Sequence, residues 1–173
     1  MTPPAVSFVA KSGTGKTTVL EKVIAELKSR GHRLGVIKHD AHRFDIDREG
    51  KDSWRMTRAG VDTMLITSPA KIAMVKMNPA GAEPSLEETI GHYFGDVDIV
   101  LTEGFKKSAM PKIEVHRQER SPRLMCRGEE HDPTLIAVAS DTLRELDVPV
   151  FDLDDAEAIC DFIEKRFLRK KST

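Results

Sequence analysis

The 173-residue sequence lacks the features that mark membrane, secreted and zinc-ribbon proteins. No run of about 20 apolar residues occurs, so no membrane-spanning helix is expected. The first residues, MTPP, form neither the basic nor the apolar region of a secretory signal, and a cytoplasmic location is expected. The only two cysteines, Cys126 and Cys160, lie in no CxxC pair, which argues against a zinc ribbon or a redox dithiol. Two reduced thiols are expected in preference to one long-range disulfide.

Neither sign of charge is in excess. The sequence has 27 Lys and Arg against 28 Asp and Glu, a formal net charge of -1. This balance gives no general attraction to nucleic acid, although an anionic ligand can still bind at a local basic site. Aromatic residues make up only 5% of the chain. The length predicts a single domain, residues 1–173, with a core that needs neither disulfides nor a structural metal.

Short apolar runs alternate with amphipathic segments along the chain. The runs predict strands over residues 5–10, 34–38, 63–67, 72–76, 97–102, 113–116, 135–139 and 148–151. Helices are predicted over 16–30 and 52–59, after Ser85, and after Asp154 or Asp155. The first two strands are expected to be a parallel pair, and the turn SPAK predicts a hairpin between 63–67 and 72–76. The pattern predicts an α/β fold of three layers, with a mainly parallel sheet flanked by helices and an added antiparallel hairpin.

The most specific motif is AKSGTGKT at residues 10–17, which fits the phosphate-loop pattern [A/G]-x4-G-K-[S/T]. The glycines let successive backbone N–H groups point at one anion, and the following helix adds its free N-terminal N–H groups. The Lys16 ammonium is expected near the β- and γ-phosphates, and the Thr17 hydroxyl on Mg²⁺. The predicted nucleotide-contacting residues are Lys11, Ser12, Gly13, Thr14, Gly15, Lys16, Thr17 and Thr18.

Acidic residues follow two of the predicted strands. Asp40 follows the second strand and Glu103 the strand at 97–102, so both are expected at the edge of the sheet where ligands bind. Carboxylates suit Mg²⁺, and Thr17, Asp40 and Glu103 are the candidate metal neighbourhood. Lys16 and Glu103 are the residues expected to act in catalysis. Asp98 begins its strand and is expected to have a structural role at the opposite edge.

The segment 38–47 is rich in His and Asp, including His39, His42, Asp45 and Asp47. A structural metal site there is less favoured than a polar, switch-like loop or a docking surface, because the ligands would lie in a loop beside two cations.

Asp141 follows the strand at 135–139 and has two interpretations. Its carboxylate can accept hydrogen bonds from N1–H and the 2-amino group of guanine, which adenine cannot supply. Alternatively, it caps a helix beginning near Thr142.

Several motifs occur together in order: the phosphate loop, IKHDAH at 37–42, FDID at 44–47, GKDS at 50–53, RAG at 58–60 and LTEGFK at 101–106. Over about the first 140 residues, the sequence resembles the molybdopterin-guanine dinucleotide biosynthesis protein B family. Ala10 stands where Gly is commoner, and Thr102 where the family often has an apolar residue.

The resemblance implies a dimeric P-loop protein of the SIMIBI type that binds GTP and Mg²⁺. It implies an accessory role in attaching GMP to molybdopterin, with the transfer carried out by a partner guanylyltransferase and only weak GTP hydrolysis by this chain. It places Thr17, Asp40 and Glu103 around Mg²⁺ and favours Asp141 as the guanine reader. Direct binding of the molybdopterin cofactor is left open, and neither nucleic acid nor a membrane is expected as a partner.

Two alternatives remain open on the sequence. The first is a P-loop small-molecule kinase, in which Arg117, Arg120, Arg123 and Arg127 would form a lid over the substrate. The same arginines could also form a pocket for the molybdopterin phosphate or a solvated loop. The hairpin at 63–77, with Met64, Met74 and Met77, is either a dimer interface or ordinary core.

Overall fold

The computed structural model describes residues 2–39, 44–78, 83–128, 131–142 and 145–168. The strands are β1 (Ala5–Ala10), β2 (Leu34–Lys38), β3 (Thr63–Thr67), β4 (Ile72–Lys76), β5 (Ile99–Glu103), β6 (Lys112–His116), β7 (Leu135–Ser140) and β8 (Val150–Asp152). The helices are α1 (Lys16–Ser29), α2 (Asp52–Arg58), α3 (Leu86–Tyr93) and α4 (Ala156–Phe167). Contacts divide the chain into two compact units, Met1–His39 with Leu86–Thr173, and Asp40–Ser85.

The first unit contains a six-stranded sheet in the order β2-β5-β1-β6-β7-β8, and every pairing is parallel. The predicted α/β architecture is confirmed. The expected pairing of β1 with β2 is wrong, because β5 lies between them and pairs with both. Every residue of β1 and β7 is buried, which explains why these strands lack polar alternation.

Helices and loops cover both faces of this sheet, and the side chains of β1 alternate between them. Phe8 packs with α1 and α4 on one face, through Leu27 and Ile163 among others. Val9 packs on the other face with Leu124 and Cys126, and Ala5 packs there with Leu86 and Ile90 of α3. Fully burying a side chain of this size contributes roughly 1.5–3 kcal/mol, so the sheet is a firm base for the loops at its edge.

The ends of α1 and α4 follow from local sequence. α1 ends at Ser29, and Gly31 adopts the left-handed conformation with φ +86° that commonly terminates a helix. Asp155, not Asp154, caps α4, because its carboxylate accepts a hydrogen bond from the Ala158 N–H at 2.9 Å. Thr102 is buried, and its hydroxyl pairs with that of Ser7 at 2.7 Å, which satisfies a polar group within the sheet.

The second unit contains α2 and the antiparallel hairpin of β3 and β4, which confirms the predicted hairpin. Ser68 N–H donates to the Lys71 carbonyl across the turn at 2.9 Å. Several apolar side chains of the hairpin are exposed, including Leu65 at 49% and Ile72 at 69%. None of the helices in the described part of the chain is long and apolar enough to cross a membrane.

Candidate functional site

The loop between β1 and α1 has the backbone conformation needed to surround an anion. Gly13 and Gly15 have φ values of +77° and +86°, a region that a side chain would strain. α1 begins at Lys16, so its first N–H groups have no partner within the helix and face the loop. The Thr14 hydroxyl donates to the Lys11 carbonyl at 3.1 Å and closes the loop.

Glu103 lies beside this loop because β5 pairs in parallel with β1, with Phe8 opposite Glu103. Its Oε1 accepts hydrogen bonds from the Lys16 ammonium and, at 3.1 Å, from the Thr17 hydroxyl. Burial raises the pKa of Glu103, but the Lys16 hydrogen bond and charge and the Thr17 hydrogen bond outweigh it. The net pKa therefore lies below the ordinary value of 4.5, and the group is an anion at neutral pH. The structure thus joins three predicted site residues that are up to 87 positions apart.

The oxygen atoms of Thr17 and Glu103 fit a Mg²⁺ ion, which prefers hydroxyl, carboxylate and phosphate oxygens. Asp40, the third predicted member of this neighbourhood, lies outside the described residues, as does His42. Over the ranges that the structure describes, no group of three or more His, Cys, Asp or Glu side chains is arranged to hold a metal by itself.

The turn after Glu103 brings the ends of β2 and β5 together. His39 N–H donates to the Glu103 carbonyl at 3.0 Å, and the His39 and Phe105 rings lie 5.0 Å apart. Gly104 has φ +101°, and a β-carbon there would lie 3.4 Å from that of His39, so this position requires glycine. Asp98 lies at the other end of β5, directly before its first residue. Its carboxylate accepts a hydrogen bond from the Arg33 N–H at 2.7 Å, which agrees with the predicted structural role.

The basic segment after β6, residues 117–123, packs against the other side of the phosphate loop. Arg117 Nε donates to the Thr14 carbonyl at 3.0 Å, and a β-carbon built on Gly15 would lie 3.6 Å from the Arg117 guanidinium. Lys11 Nζ donates to Ser121 Oγ at 2.7 Å. Arg120 approaches Gly13, with Nε 3.8 Å from the position of a β-carbon there. Cations from two separate parts of the chain therefore border the loop.

The four arginines considered as a lid do not form one group. Arg127 makes a two-pronged pair with Asp147, through Nε at 2.9 Å and a terminal nitrogen at 2.7 Å. The backbone of Arg123 closes a short turn, since its N–H and its carbonyl are both hydrogen-bonded to Ser121 Oγ. Arg117 and Arg120 are the members of the set that border the phosphate loop.

Asp141 follows β7 and is exposed at the same edge of the sheet. Its Oδ1 accepts from the Gln118 N–H at 3.0 Å and from the Thr142 hydroxyl at 3.4 Å. The Gln118 hydrogen bond is the largest cause of a lowered pKa, to which the charge of Arg117 adds, so the carboxylate is ionised. Asp141 does not cap a described helix, because Thr142 and the described residues 145–149 are not helical.

Three buried polar side chains of β6 were not singled out as site residues by sequence reasoning: Lys112, Glu114 and His116. Glu114 accepts the N–H groups of Met125 and Cys126, at 2.6 and 2.8 Å. A titratable residue at every second position of a strand is the signal that could have marked this buried row.

His116 braces the loops after β6 and β7. A carbonyl oxygen only accepts, so His116 Nε2 donates to the Ser121 carbonyl at 2.8 Å, and Nδ1 is hydrogen-bonded to Ser140 Oγ at 3.0 Å. The brace therefore fixes the basic segment relative to the end of β7, just before Asp141.

Comparisons with known proteins agree on one family. A model of the family described as molybdopterin guanine dinucleotide synthesis protein B matches residues 5–141. A relative from Haemophilus influenzae, named molybdopterin-guanine dinucleotide biosynthesis adapter protein, is 39% identical over 163 residues, 93% of this chain and 88% of that protein. A protein of the same name from Escherichia coli is 38% identical, covering 92% of this chain and 91% of its own. A crystal structure of molybdopterin-guanine biosynthesis protein B superposes with a TM-score of 0.74 at 28% identity, over 93% of this chain and 98% of that one. The chain therefore belongs to the molybdopterin guanine dinucleotide synthesis protein B family.

Proposed function

We propose that this chain is a GTP-binding adapter in molybdopterin guanine dinucleotide biosynthesis that assists a partner guanylyltransferase in attaching GMP to molybdopterin. Family membership supports the pathway, and the name of the relatives supports the adapter role. The observation that carries nucleotide binding is Glu103, which holds both Lys16 and Thr17 at the opening of the glycine-rich loop. A lysine, a hydroxyl and a carboxylate converge there on a helix N-terminus, as a magnesium–triphosphate requires.

In this proposal, each group at the loop has one task. The backbone N–H groups from Gly13 to Thr17 bind the β-phosphate, and Lys16 leaves Glu103 to bind the β- and γ-phosphates. Thr17 and Glu103 then hold Mg²⁺, directly or through water, and this ion neutralises phosphate charge when bound. The Lys16–Glu103 pair is thus a resting arrangement that the nucleotide opens.

Asp141 is proposed to select guanine. It is exposed and ionised, and a carboxylate has about four acceptor positions, so the contacts with Gln118 and Thr142 leave capacity for N1–H and the 2-amino group. Adenine offers an acceptor at N1 and no 2-amino group, so its complex would leave the carboxylate poorly satisfied.

Hydrolysis of bound GTP is proposed to be slow. GTPases of this general kind use a glutamine to orient the attacking water at the γ-phosphate. The single glutamine in the sequence, Gln118, follows β6, whereas Glu103 ends β5 on the opposite side of β1. This glutamine is therefore not next to Glu103, where the γ-phosphate is proposed to lie. Slow hydrolysis suits an adapter that holds its nucleotide.

Calorimetric titration with GTP and Mg²⁺, followed by capture of the partner guanylyltransferase with and without GTP, tests this proposal. We expect one GTP to bind per chain, with turnover slower than the about 1–100 s⁻¹ that is typical of kinases. Capture of the guanylyltransferase should depend on GTP. Rapid transfer of phosphate to a small metabolite would instead establish the kinase alternative, and absence of nucleotide binding would refute the site.

We also propose that the protein is a cytoplasmic homodimer that pairs through the hairpin of β3 and β4. Exposed apolar residues such as Leu65 and Ile72 support this interface. The free, buried thiols Cys126 and Cys160 suit a reducing compartment. Light scattering should give a monomer mass for a Leu65→Lys, Ile72→Lys variant and a dimer mass for Met56→Lys, whose exposed side chain lies on α2. A monomeric parent protein would refute the dimer.

A further inference from the structure

The positions of Glu103 and Asp141 define the direction in which a bound nucleotide must run. Glu103 ends β5 on one side of β1, and β6 and β7 follow in order on the other side. If the metal and γ-phosphate lie toward Glu103, the nucleoside extends across the loop toward the ends of β6 and β7. Arg117 comes directly after β6 and contacts the loop on that side.

Arg117 is held in a fixed place on this path. Its Nε donates to the Thr14 carbonyl at 3.0 Å, and the absence of a side chain at Gly15 leaves room for its guanidinium against the loop. The next residue, Gln118, donates its N–H to Asp141 at 3.0 Å. Consecutive Cα atoms are about 3.8 Å apart, so Arg117 and Gln118 span the short distance between the phosphate loop and Asp141.

We propose that the Arg117 guanidinium is the platform on which the purine base of the nucleotide stacks, with Asp141 reading the edge of the same base. This inference rests on the proposed nucleotide site. A guanidinium is planar, its hydrogen bond through Nε restrains its position beside the loop, and a planar guanidinium can stack on a base. The contact with a carbonyl places Arg117 outside the cradle of N–H groups that binds phosphate.

The Arg117 platform supplies a surface for base stacking that aromatic residues do not provide here. Aromatic residues are only 5% of the sequence, and no Trp, Tyr or Phe occurs at residues 10–17, 117–123 or 138–142. Arginine supplies a stacking surface without an aromatic ring, and its positive charge adds a cation–π contribution. Stacking does not depend on base identity, so Arg117 contributes affinity and Asp141 contributes selectivity.

The test compares ligands with and without a base. Calorimetric titrations would measure dissociation constants for GTP, ATP and inorganic tripolyphosphate, each with Mg²⁺, on the wild-type protein and on Arg117→Lys. Lysine keeps the charge and a donor for the Thr14 carbonyl but has no planar face. We expect affinity for GTP and ATP to fall by about tenfold each, and affinity for tripolyphosphate to change by less than about twofold.

Arg123→Lys is the matched control, because it makes the same substitution at an exposed side chain of the same segment; it should change none of the three constants. Arg117→Ala should repeat the selective loss, and its retained tripolyphosphate binding would show that the loop is intact. Equal losses for tripolyphosphate and nucleotides would place Arg117 on the phosphates and overturn the platform. No loss in Arg117→Lys would also overturn it. If the wild-type protein binds none of GTP, ATP and tripolyphosphate, the proposed nucleotide site itself is wrong.

Discussion

Replacing Glu103 by glutamine tests whether its carboxylate competes with phosphate for Lys16. Glutamine keeps the size of the side chain and an oxygen acceptor for the Thr17 hydroxyl but removes the charge. Without Mg²⁺, GTP must break the Lys16–Glu103 pair and place its own anion beside the carboxylate. We therefore expect Glu103→Gln to bind metal-free GTP more tightly, and to gain less from added Mg²⁺, than the wild-type protein.

The size of this effect follows from the partial burial of the pair. The side chains of Lys16 and Glu103 are 18% and 15% exposed, so their interaction exceeds that of a solvent-exposed pair. Hydrogen bonds to charged groups contribute about 1.5–3 kcal/mol, and the lower end suits a pair in contact with solvent. Since about 1.4 kcal/mol corresponds to a factor of ten, metal-free GTP should bind roughly tenfold more tightly to the variant. Hydrolysis in the presence of Mg²⁺ should fall by more than binding does.

Titration calorimetry with GTP in EDTA and in Mg²⁺ measures both constants. Asp161→Asn is a matched control, because it removes one carboxylate charge from an ion pair with Arg30 at the far end of α1; GTP affinity should not change. If Glu103→Gln has an unaltered melting temperature and yet binds metal-free GTP no better than the wild type, the competition is refuted. An equal loss of binding and hydrolysis would indicate that Glu103 supports the fold.

Three further predictions concern single side chains. Lys16→Ala should lose most of its affinity for both GTP and tripolyphosphate in calorimetry, and undiminished binding by the folded variant would refute the phosphate loop. Asp141→Asn should lower the GTP-to-ATP affinity ratio by about tenfold, because the amide cannot accept both guanine donors, and an unchanged ratio would leave Asp141 as a loop brace only. Glu164→Gln should lower the melting temperature by about 2–4 °C at neutral pH, since it removes the charge of a carboxylate that pairs with both Arg30 and His32. The His32 hydrogen bond, followed by that of Arg30, holds the pKa of Glu164 below its ordinary 4.5. Its stabilisation is therefore complete above pH 4.5 and is lost as the pH falls through the lower value, where variant and wild type should converge.

Local sequence predicted the backbone conformation of the loop at residues 10–17, because that conformation depends on consecutive residues. Gly13 and Gly15 adopt the left-handed conformation that the motif requires, and Lys16 starts the helix. Strand positions were also predictable, since uniformly apolar runs such as β1 and β7 are buried on both faces. The order of the strands was not predictable: β5 lies between β1 and β2, although its paired residues are 95 positions from those of β1 and 65 from those of β2.

The partners of the site residues depended on that strand order. Glu103 was predicted at the correct edge, but its contacts with Lys16 and Thr17 required the parallel register of β1 with β5. Arg117 was one of four arginines in a polar segment, and nothing in its neighbours distinguished it from Arg127. Only the pairing of β6 with β1 brings Arg117 to the Thr14 carbonyl, while Arg127 meets Asp147.

The sequence by itself thus determined the glycine-rich loop and the start of the helix that follows it, because these are local structures whose hydrogen-bond donors come from consecutive backbone groups. The tertiary structure decided which charges face that loop, because contacts such as Arg117 with Thr14 join residues 103 positions apart, and no pattern of neighbouring residues encodes them. It also decided that Lys112, Glu114 and His116 are buried, since burial of polar groups is favourable only where distant loops supply hydrogen-bond partners.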